Sequence, residues 1–328
     1  MANRWLSWSW GESGEAPRAL TIGVFDGVHL GHRALLERLR AEADARRLTP
    51  TVLTFDPHPL AVVAPEKTPE KLVTGACRLR LLRESGAAAV ASLRFDREVA
   101  ALPPEDFVRE VMVRELHTRL AVVSAAFRFG AGARGDVAAL RRIGGEQGIE
   151  VVEVPPRMAD ARRVSSTRIR TALRTGDVEA AARLLGRPHL LEGLVVRGLG
   201  RGRTLGFPTA NLEQIEVMLP AEGTYAAWAR WDGKLRPAAV HVGRRLTFEE
   251  ASTVEAHLLD TDADLYGRRM TLAFVQRLRD DARFDGPQSL AAQIARDVAT
   301  VRTTLGPLPP PAALQDPGAC GTGGRAGG

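Results

Sequence analysis

The spacing of apolar and polar positions changes character once along the chain. In the first half, runs rich in Val, Leu and Ile alternate with amphipathic stretches. Ala19–Val24, Thr51–Phe55, Ala87–Leu93, Leu120–Ser124 and Glu150–Val154 predict strands, and apolar residues at helical spacing predict helices over Gly31–Arg46, Ala76–Glu84, Pro104–Glu115 and Val137–Gln147. Pro104 suits the first turn of its helix, where the missing N–H has no partner to lose. Strands that alternate with helices predict a parallel, doubly wound α/β sheet of Rossmann-like type. Two short helices, Thr167–Arg174 and Asp177–Leu185, end this half.

After Gly186-Arg187-Pro188 the runs shorten and turn signals multiply. Leu190–Arg197, Thr224–Trp231, Ala238–Val242, Val254–Leu259 and Met270–Leu278 have strand periodicity, which predicts a small antiparallel barrel. One amphipathic helix, Ser289–Thr304, follows it, and the Pro/Gly-rich stretch from Gly306 is expected to be disordered. The predicted domains are therefore 15–187 and 188–305, with 306–328 as a tail.

Composition adds bounds. The chain has 328 residues, 45% hydrophobic and 26% charged, enough apolar material for one core in each half. The net charge of +6 comes almost wholly from Arg, since Lys occurs only at Lys67, Lys71 and Lys234. No basic run carries interleaved aromatics, so a small polyanion such as ATP is the expected partner and nucleic acid is not. Cys77 and Cys320 form no CxxC pair, which argues against a zinc site. No long apolar run is present, so no membrane partner is expected and the predicted location is cytoplasmic. The pattern leaves the oligomeric state open.

Four stretches carry candidate chemistry. Gly23-Val24-Phe25-Asp26-Gly27-Val28-His29-Leu30-Gly31-His32 lies where a strand ends and a helix begins. Free N–H groups at such a helix start favour phosphate. His29 and His32, three apart, share a face and can stabilise charge on an α-phosphate. Gly27 and Gly31 let a nucleotide approach the backbone. Ser165-Ser166-Thr167-Arg168-Ile169-Arg170 precedes another helix; its hydroxyls can cap that helix or hold β- and γ-phosphates, with Arg170 as the charge partner.

In the second half, Gly200–Asn211 combines Gly202 and Gly206 with Arg203, which suits a loop closing over phosphates. Thr209 and Asn211 place two hard oxygen donors on one side of an extended segment, a set suited to Mg²⁺ when ATP phosphates complete the shell. In Val254–Asp260, alternation puts Glu255 and His257 on one strand face, where Glu255 can take the proton from a substrate hydroxyl.

The paired HxGH and SSTxxR stretches resemble the HIGH-type nucleotidyltransferases, and Thr54-Phe55-Asp56-Pro57-His58-Pro59 narrows the likeness. The first half resembles the adenylyltransferase part of the bacterial bifunctional riboflavin kinase/FMN adenylyltransferase (FAD synthetase) family. The second half, with FPTAN at Phe207–Asn211, then Glu255, Leu265-Tyr266-Gly267, Arg279, Phe284 and Asp297, resembles that family's riboflavin kinase module, a six-stranded barrel. The resemblance implies conversion of riboflavin to FMN and of FMN to FAD, with ATP as co-substrate and Mg²⁺ as cofactor. It implies ATP contacts for the first activity from Gly23, Phe25, Asp26, Gly27, His29, His32, Ser165, Ser166, Thr167 and Arg170, with His29 and His32 catalytic. For the kinase it implies ATP contacts from Gly202, Arg203, Gly206, Thr209 and Asn211. Metal ligation would fall to Thr209 and Asn211, the catalytic base would be Glu255, and Arg279 and Asp297 would lie near the flavin.

Three departures qualify this. Ser124-Ala125-Ala126-Phe127-Arg128-Phe129-Gly130 has Ala126 where the family carries an acidic or amide residue before FxFG. His241 stands for Asn and Leu246 for Pro in the stretch His241–Phe248. Asp281 replaces Glu after Leu-Arg-Asp. They raise an alternative: a specialised paralogue that keeps riboflavin kinase activity only or acts on a flavin analogue, its adenylyltransferase site impaired.

Overall fold

The computed structural model describes residues 5–11, 14–198, 200–244 and 252–315. The chain divides into two compact units, Met1–Glu70 with Arg78–Val164, and Lys71–Cys77 with Ser165–Gly328.

In chain order the first elements are β1 (Leu6–Trp10), β2 (Arg18–Ile22), α1 (Leu30–Arg46), β3 (Thr49–Asp56), α2 (Pro59–Val63), α3 (Gly75–Glu84), β4 (Ala89–Arg94), α4 (Arg97–Ala100), α5 (Pro104–Asp106), β5 (Thr118–Ser124), α6 (Val137–Glu146) and β6 (Glu150–Val154). They build one six-stranded sheet in the order β1-β4-β3-β2-β5-β6. Pairing is parallel from β4 through β6, and β1 runs antiparallel along β4. The central strands are buried on both faces, as a parallel sheet clad in helices requires: every residue of β2 is buried, and Leu53, Val90, Ala91 and Val122 are sealed from solvent. α1 packs on β2, β3 and β5, and α6 on β6. Strand order reverses between β2 and β5, so the loops leaving the C-terminal ends of those two strands flank the crevice where such sheets take their ligands.

Two details differ from the sequence reading. The apolar spacing predicts no element before Ala19, yet Leu-Ser-Trp-Ser-Trp alternates as a strand should and forms the sheet edge as β1. The helix predicted over Pro104–Glu115 is there, but Phe107–Glu115 is wound as a π-helix, with its turns closed by bonds such as Leu116 N–H to the Val111 carbonyl.

The second unit continues with α7 (Ser166–Arg174) and α8 (Val178–Leu185), after a hairpin of β7 (Met158–Ala159) and β8 (Arg162–Arg163) in the first unit. Then come β9 (His189–Val196), α9 (Arg201–Thr204), β10 (Ala210–Glu213), β11 (Gly223–Trp231), β12 (Lys234–Arg244), β13 (Ser252–Leu258), β14 (Arg269–Arg279), α10 (Pro287–Leu305) and α11 (Ala312–Gln315). The six strands close a barrel in the order β10-β13-β12-β11-β14-β9, every pair antiparallel. β10 is not predicted by periodicity; only four residues long, it is too short to show a period. Leu212, Val240, Val242, Val254 and Ala256 are buried, while Asn211, His241 and Glu255, on the opposite face of the same strands, are partly exposed. The β11–β12 register is set by Asp232-Gly233, both at positive φ (44° and 76°), a two-residue turn whose twist matches the flanking strands. The predicted disorder from Gly306 needs correcting over its first part: α11 is helical and buries Leu314 completely. Residues 316–328 lie outside the described residues.

His189, at the start of β9, is buried with Nε2 2.8 Å from the Met218 carbonyl. Burial, reinforced by the nearby Arg187 charge and opposed by that carbonyl, pushes its pKa down to about 4. The unfolded imidazole titrates near 6.5, so between the two values the unfolded chain binds the extra proton. The contribution of neutral His189 should be complete above about pH 6.5 and be lost as pH falls toward about 4, on the order of 3 kcal/mol in all. Denaturant unfolding of the wild type and of H189Q at pH 7.5 and 4.5 checks this: the wild type should lose more stability on acidification than the variant, and equal losses would contradict it.

Candidate functional sites

In the first unit the β2–α1 connection forms a tight cradle. The Gly23 N–H donates to the Leu53 carbonyl at 3.0 Å, so the loop leaves the sheet at a fixed point. Phe25 and Val28 then adopt positive φ (54° and 39°) alongside Gly27 (85°). For two non-glycine residues this conformation costs on the order of 1 kcal/mol or more each. It delivers His29 as the N-cap of α1. The Nδ1 of His29 accepts the His32 N–H at 3.2 Å, which places the proton of neutral His29 on Nε2. The two rings stack at 3.7 Å, tilted by 10°, and the edge of Phe25 meets His32 at 5.1 Å. Burial, then the neighbouring His29, holds His32 well below the usual histidine range. Gly31 permits this fold-back: a Cβ there would stand 3.1 Å from the His29 ring.

The Thr54–Pro59 stretch and one arginine complete the cradle. The Thr54 hydroxyl and Arg78 Nη1 both donate to the Val24 carbonyl, at 3.3 and 3.2 Å. Burial lowers the Arg78 pKa, and the Asp26 and Asp56 carboxylates oppose that shift. Nothing in the sequence singled out Arg78 among so many arginines; only its return to the β2–α1 loop marks it. His58 caps α2, accepting the Leu60 N–H at 3.1 Å.

Gly23, Phe25, Asp26, Gly27, His29 and His32 are thus gathered in the first unit. Ser165, Ser166, Thr167 and Arg170 belong to the second, at the start of α7. There Ser165 caps the helix, its Oγ accepting the Arg168 N–H at 3.3 Å. Ala126 is exposed in the turn after β5, which is closed by the Phe127 N–H donating to the Ser124 carbonyl at 2.9 Å. The exposed Ala126 side chain carries no hydrogen-bonding group.

The barrel carries a second arrangement. Strand register places Asn211 opposite Glu255, Glu255 opposite His241, His241 opposite Thr224 and Thr224 opposite Arg279. One transverse row across five strands therefore bears every strand residue singled out for the kinase half, with His241 in its middle. At one end the Thr209 hydroxyl donates to Glu255 Oε2 at 3.3 Å. The Gly-rich loop folds tightly against this end: the Phe207 N–H donates to the Gly202 carbonyl at 2.8 Å. Added Cβ atoms at Gly198 and Gly202 would come 2.3 Å from the Asn211 amide and 2.4 Å from the Phe207 carbonyl. Gly206 (φ 83°) and Arg203 belong to the turn that returns the chain to Thr209.

At the other end, Arg279 makes a two-pronged pair with buried Asp297 of α10. Nε lies 3.1 Å from both carboxylate oxygens and Nη2 2.8 Å from Oδ2, while Gln293 donates to Oδ1 at 2.8 Å. Arg279 also covers the Phe284 ring at 5.6 Å. The Thr224 hydroxyl, between the two ends, is buried with no hydrogen-bond partner among the described residues. His241 Nε2 lies 3.9 Å from Asp281 Oδ1. Leu246 lies outside the described residues.

Among the described residues no group of three or more His, Cys, Asp or Glu could hold a metal. The neutral oxygens of Thr209 and Asn211 beside one carboxylate fit a hard cation that arrives with phosphate oxygens of its own. No helix among the described residues is long and apolar enough to cross a membrane.

The family model described as FAD synthetase matches residues 12–168, and that described as riboflavin kinase matches residues 185–305. A bifunctional riboflavin kinase/FMN adenylyltransferase of Escherichia coli strain K12 is 40% identical over 289 residues, covering 88% of this chain and 92% of that protein. One of Bacillus subtilis is 32% identical over 290 residues, covering 86% and 91%. A crystal structure described as a macrolide-efflux protein from Streptococcus pneumoniae superposes with a TM-score of 0.81 at 29% identity, covering 89% of this chain and 96% of its own.

The Arg279–Asp297 pair gives a stability test. Removing the carboxylate leaves a largely buried guanidinium without its partner, which should cost roughly 2–3 kcal/mol. Chemical denaturation of D297A, R279A and the double variant should show the single losses failing to add, and a D297A loss under about 0.5 kcal/mol would contradict the pairing.

Proposed function

The chain belongs to the bifunctional riboflavin kinase/FMN adenylyltransferase family, and from that premise we propose how its residues divide the work. It is an enzyme that uses ATP to phosphorylate riboflavin to FMN and to adenylylate FMN to FAD. We assign the adenylyltransferase to 15–187 and the kinase to 188–305.

For the kinase, the observation that carries the assignment is the cross-strand row from Asn211 to Arg279. Thr209 and Asn211 hold ATP through Mg²⁺, with Gly202, Arg203 and Gly206 closing over its phosphates. The metal, when bound, neutralises charge on the transferring phosphoryl group. Glu255 accepts the proton of riboflavin's 5′-hydroxyl as that oxygen bonds to the γ-phosphorus. The bond from the γ-phosphorus to the bridging oxygen breaks, and ADP leaves. Arg279 and Asp297 sit at the flavin ring.

For the adenylyltransferase, a phosphate oxygen of FMN attacks the α-phosphorus of ATP and pyrophosphate leaves. This step needs alignment and charge stabilisation more than proton transfer. His29 and His32, held against each other over the start of α1, supply donors to the α-phosphate, and Gly23, Phe25, Asp26 and Gly27 shape the approach. Ser165, Ser166, Thr167 and Arg170 take the β- and γ-phosphates. We prefer two activities to the kinase-only or flavin-analogue alternative because relatives that share most of their length with this chain carry both names, and both family models match it. Substrates of this kind support a cytoplasmic location.

The test is direct. Purified chain with riboflavin, ATP and Mg²⁺ should yield FMN and FAD, resolved by chromatography. E255Q should lower FMN formation roughly 10²–10⁴-fold and leave FAD formation from supplied FMN intact. H32A should lower FAD formation roughly 10²-fold or more and spare the kinase. FMN without FAD from the wild type would return the kinase-only reading, and equal losses in both activities for either folded variant would break the assignment.

A further inference from the structure

The row across the barrel contains one partly exposed residue to which the proposed kinase chemistry gives no task. It is His241, and its position between the two ends is informative. In the reading above, which this inference rests on, ATP lies at the Thr209–Asn211 end and the flavin ring at the Arg279–Asp297 end. The reacting hydroxyl must reach Glu255. The polyol chain joining ring to hydroxyl therefore has to cross β12, where His241 is the residue in the row.

The distances suit a contact. Directly opposed residues of an antiparallel pair hold their Cβ atoms about 4.5–5.5 Å apart, so His241 stands one side chain from Glu255. A hydroxyl on the carbon next to the reacting one is then within hydrogen-bond reach of the imidazole while the reacting hydroxyl meets the carboxylate. The ring is also seated. Its Nε2 lies over Gly243, where an added Cβ would come within 2.6 Å, and faces Asp281 Oδ1 at 3.9 Å. At that distance the Asp281 carboxylate is beyond hydrogen-bond reach of Nε2, and its Oδ1 accepts the Ala282 N–H at 2.9 Å. The fold brings His241 and Asp281 together from distant parts of the chain.

We infer that His241 is a specificity-determining residue that reads the polyol hydroxyl adjacent to the one phosphorylated.

The experiment compares riboflavin with 4′-deoxyriboflavin, which keeps the reacting hydroxyl and lacks its neighbour, as kinase substrates of the full chain. The loss of one hydrogen bond corresponds to roughly tenfold in kcat/KM, so the wild type should prefer riboflavin by about that factor. H241A should abolish the preference by raising KM for riboflavin roughly tenfold, with KM for ATP within about twofold. H241Q, whose amide can still bond a hydroxyl, should recover most of the preference. A wild type that does not discriminate overturns the inference whatever the variants do. So does an H241A that keeps the preference, or one in which KM for ATP and for riboflavin rise together. A wild type that forms no FMN from riboflavin is a different failure, since it removes the kinase assignment itself.

Discussion

Strand register in the barrel is the constraint on which the kinase assignment depends. Asn211, Glu255, His241, Thr224 and Arg279 come from five strands and are scattered over the second half of the chain, and only pairing makes them neighbours. Side chains alternate faces along a strand, so a slip of one residue would turn Glu255 into the core and bring Val254 or Ala256 outward. The buried alternate residues prevent that slip, and the Asp232-Gly233 turn pins β11 against β12. Barrel packing and the chemistry of the row are thus two readings of one pattern.

The first unit reaches its site by another route. A parallel sheet offers a crevice where strand order reverses, and the loops after β2 and β5 flank it. The β2–α1 loop then accepts local strain at Phe25 and Val28 to seat the stacked histidines. That strain is held in place by neighbours, among them Arg78 and Thr54 on the Val24 carbonyl and the Gly23 bond to β3.

Much of this was legible in the sequence, because it depends on local periodicity or on dense motifs. The five parallel strands, the main helices and five barrel strands could be read from spacing. The two nucleotide motifs stood out from their glycines and histidines. What escaped depends on partners distant in the chain. β10 is four residues long and becomes a strand only between β9 and β13. β1 alternates visibly, yet its role as the sheet edge is set by β4. Arg78 looks like any surface arginine until α3 carries it to Val24. His241 and Asp281 each appeared as separate oddities, and their proximity became visible only with the ends of β12 and β14 in place.

The central claim is that one cross-strand row of the barrel holds the kinase substrates in line. A crystal structure of the full chain with ADP, Mg²⁺ and FMN tests it most directly. The account predicts the metal about 2.0–2.1 Å from a side-chain oxygen of Thr209 or Asn211. It also predicts the FMN phosphate beside Glu255, the polyol crossing His241 and the flavin ring against Arg279. A flavin bound on another face of the barrel, or a phosphate remote from Glu255, would contradict it.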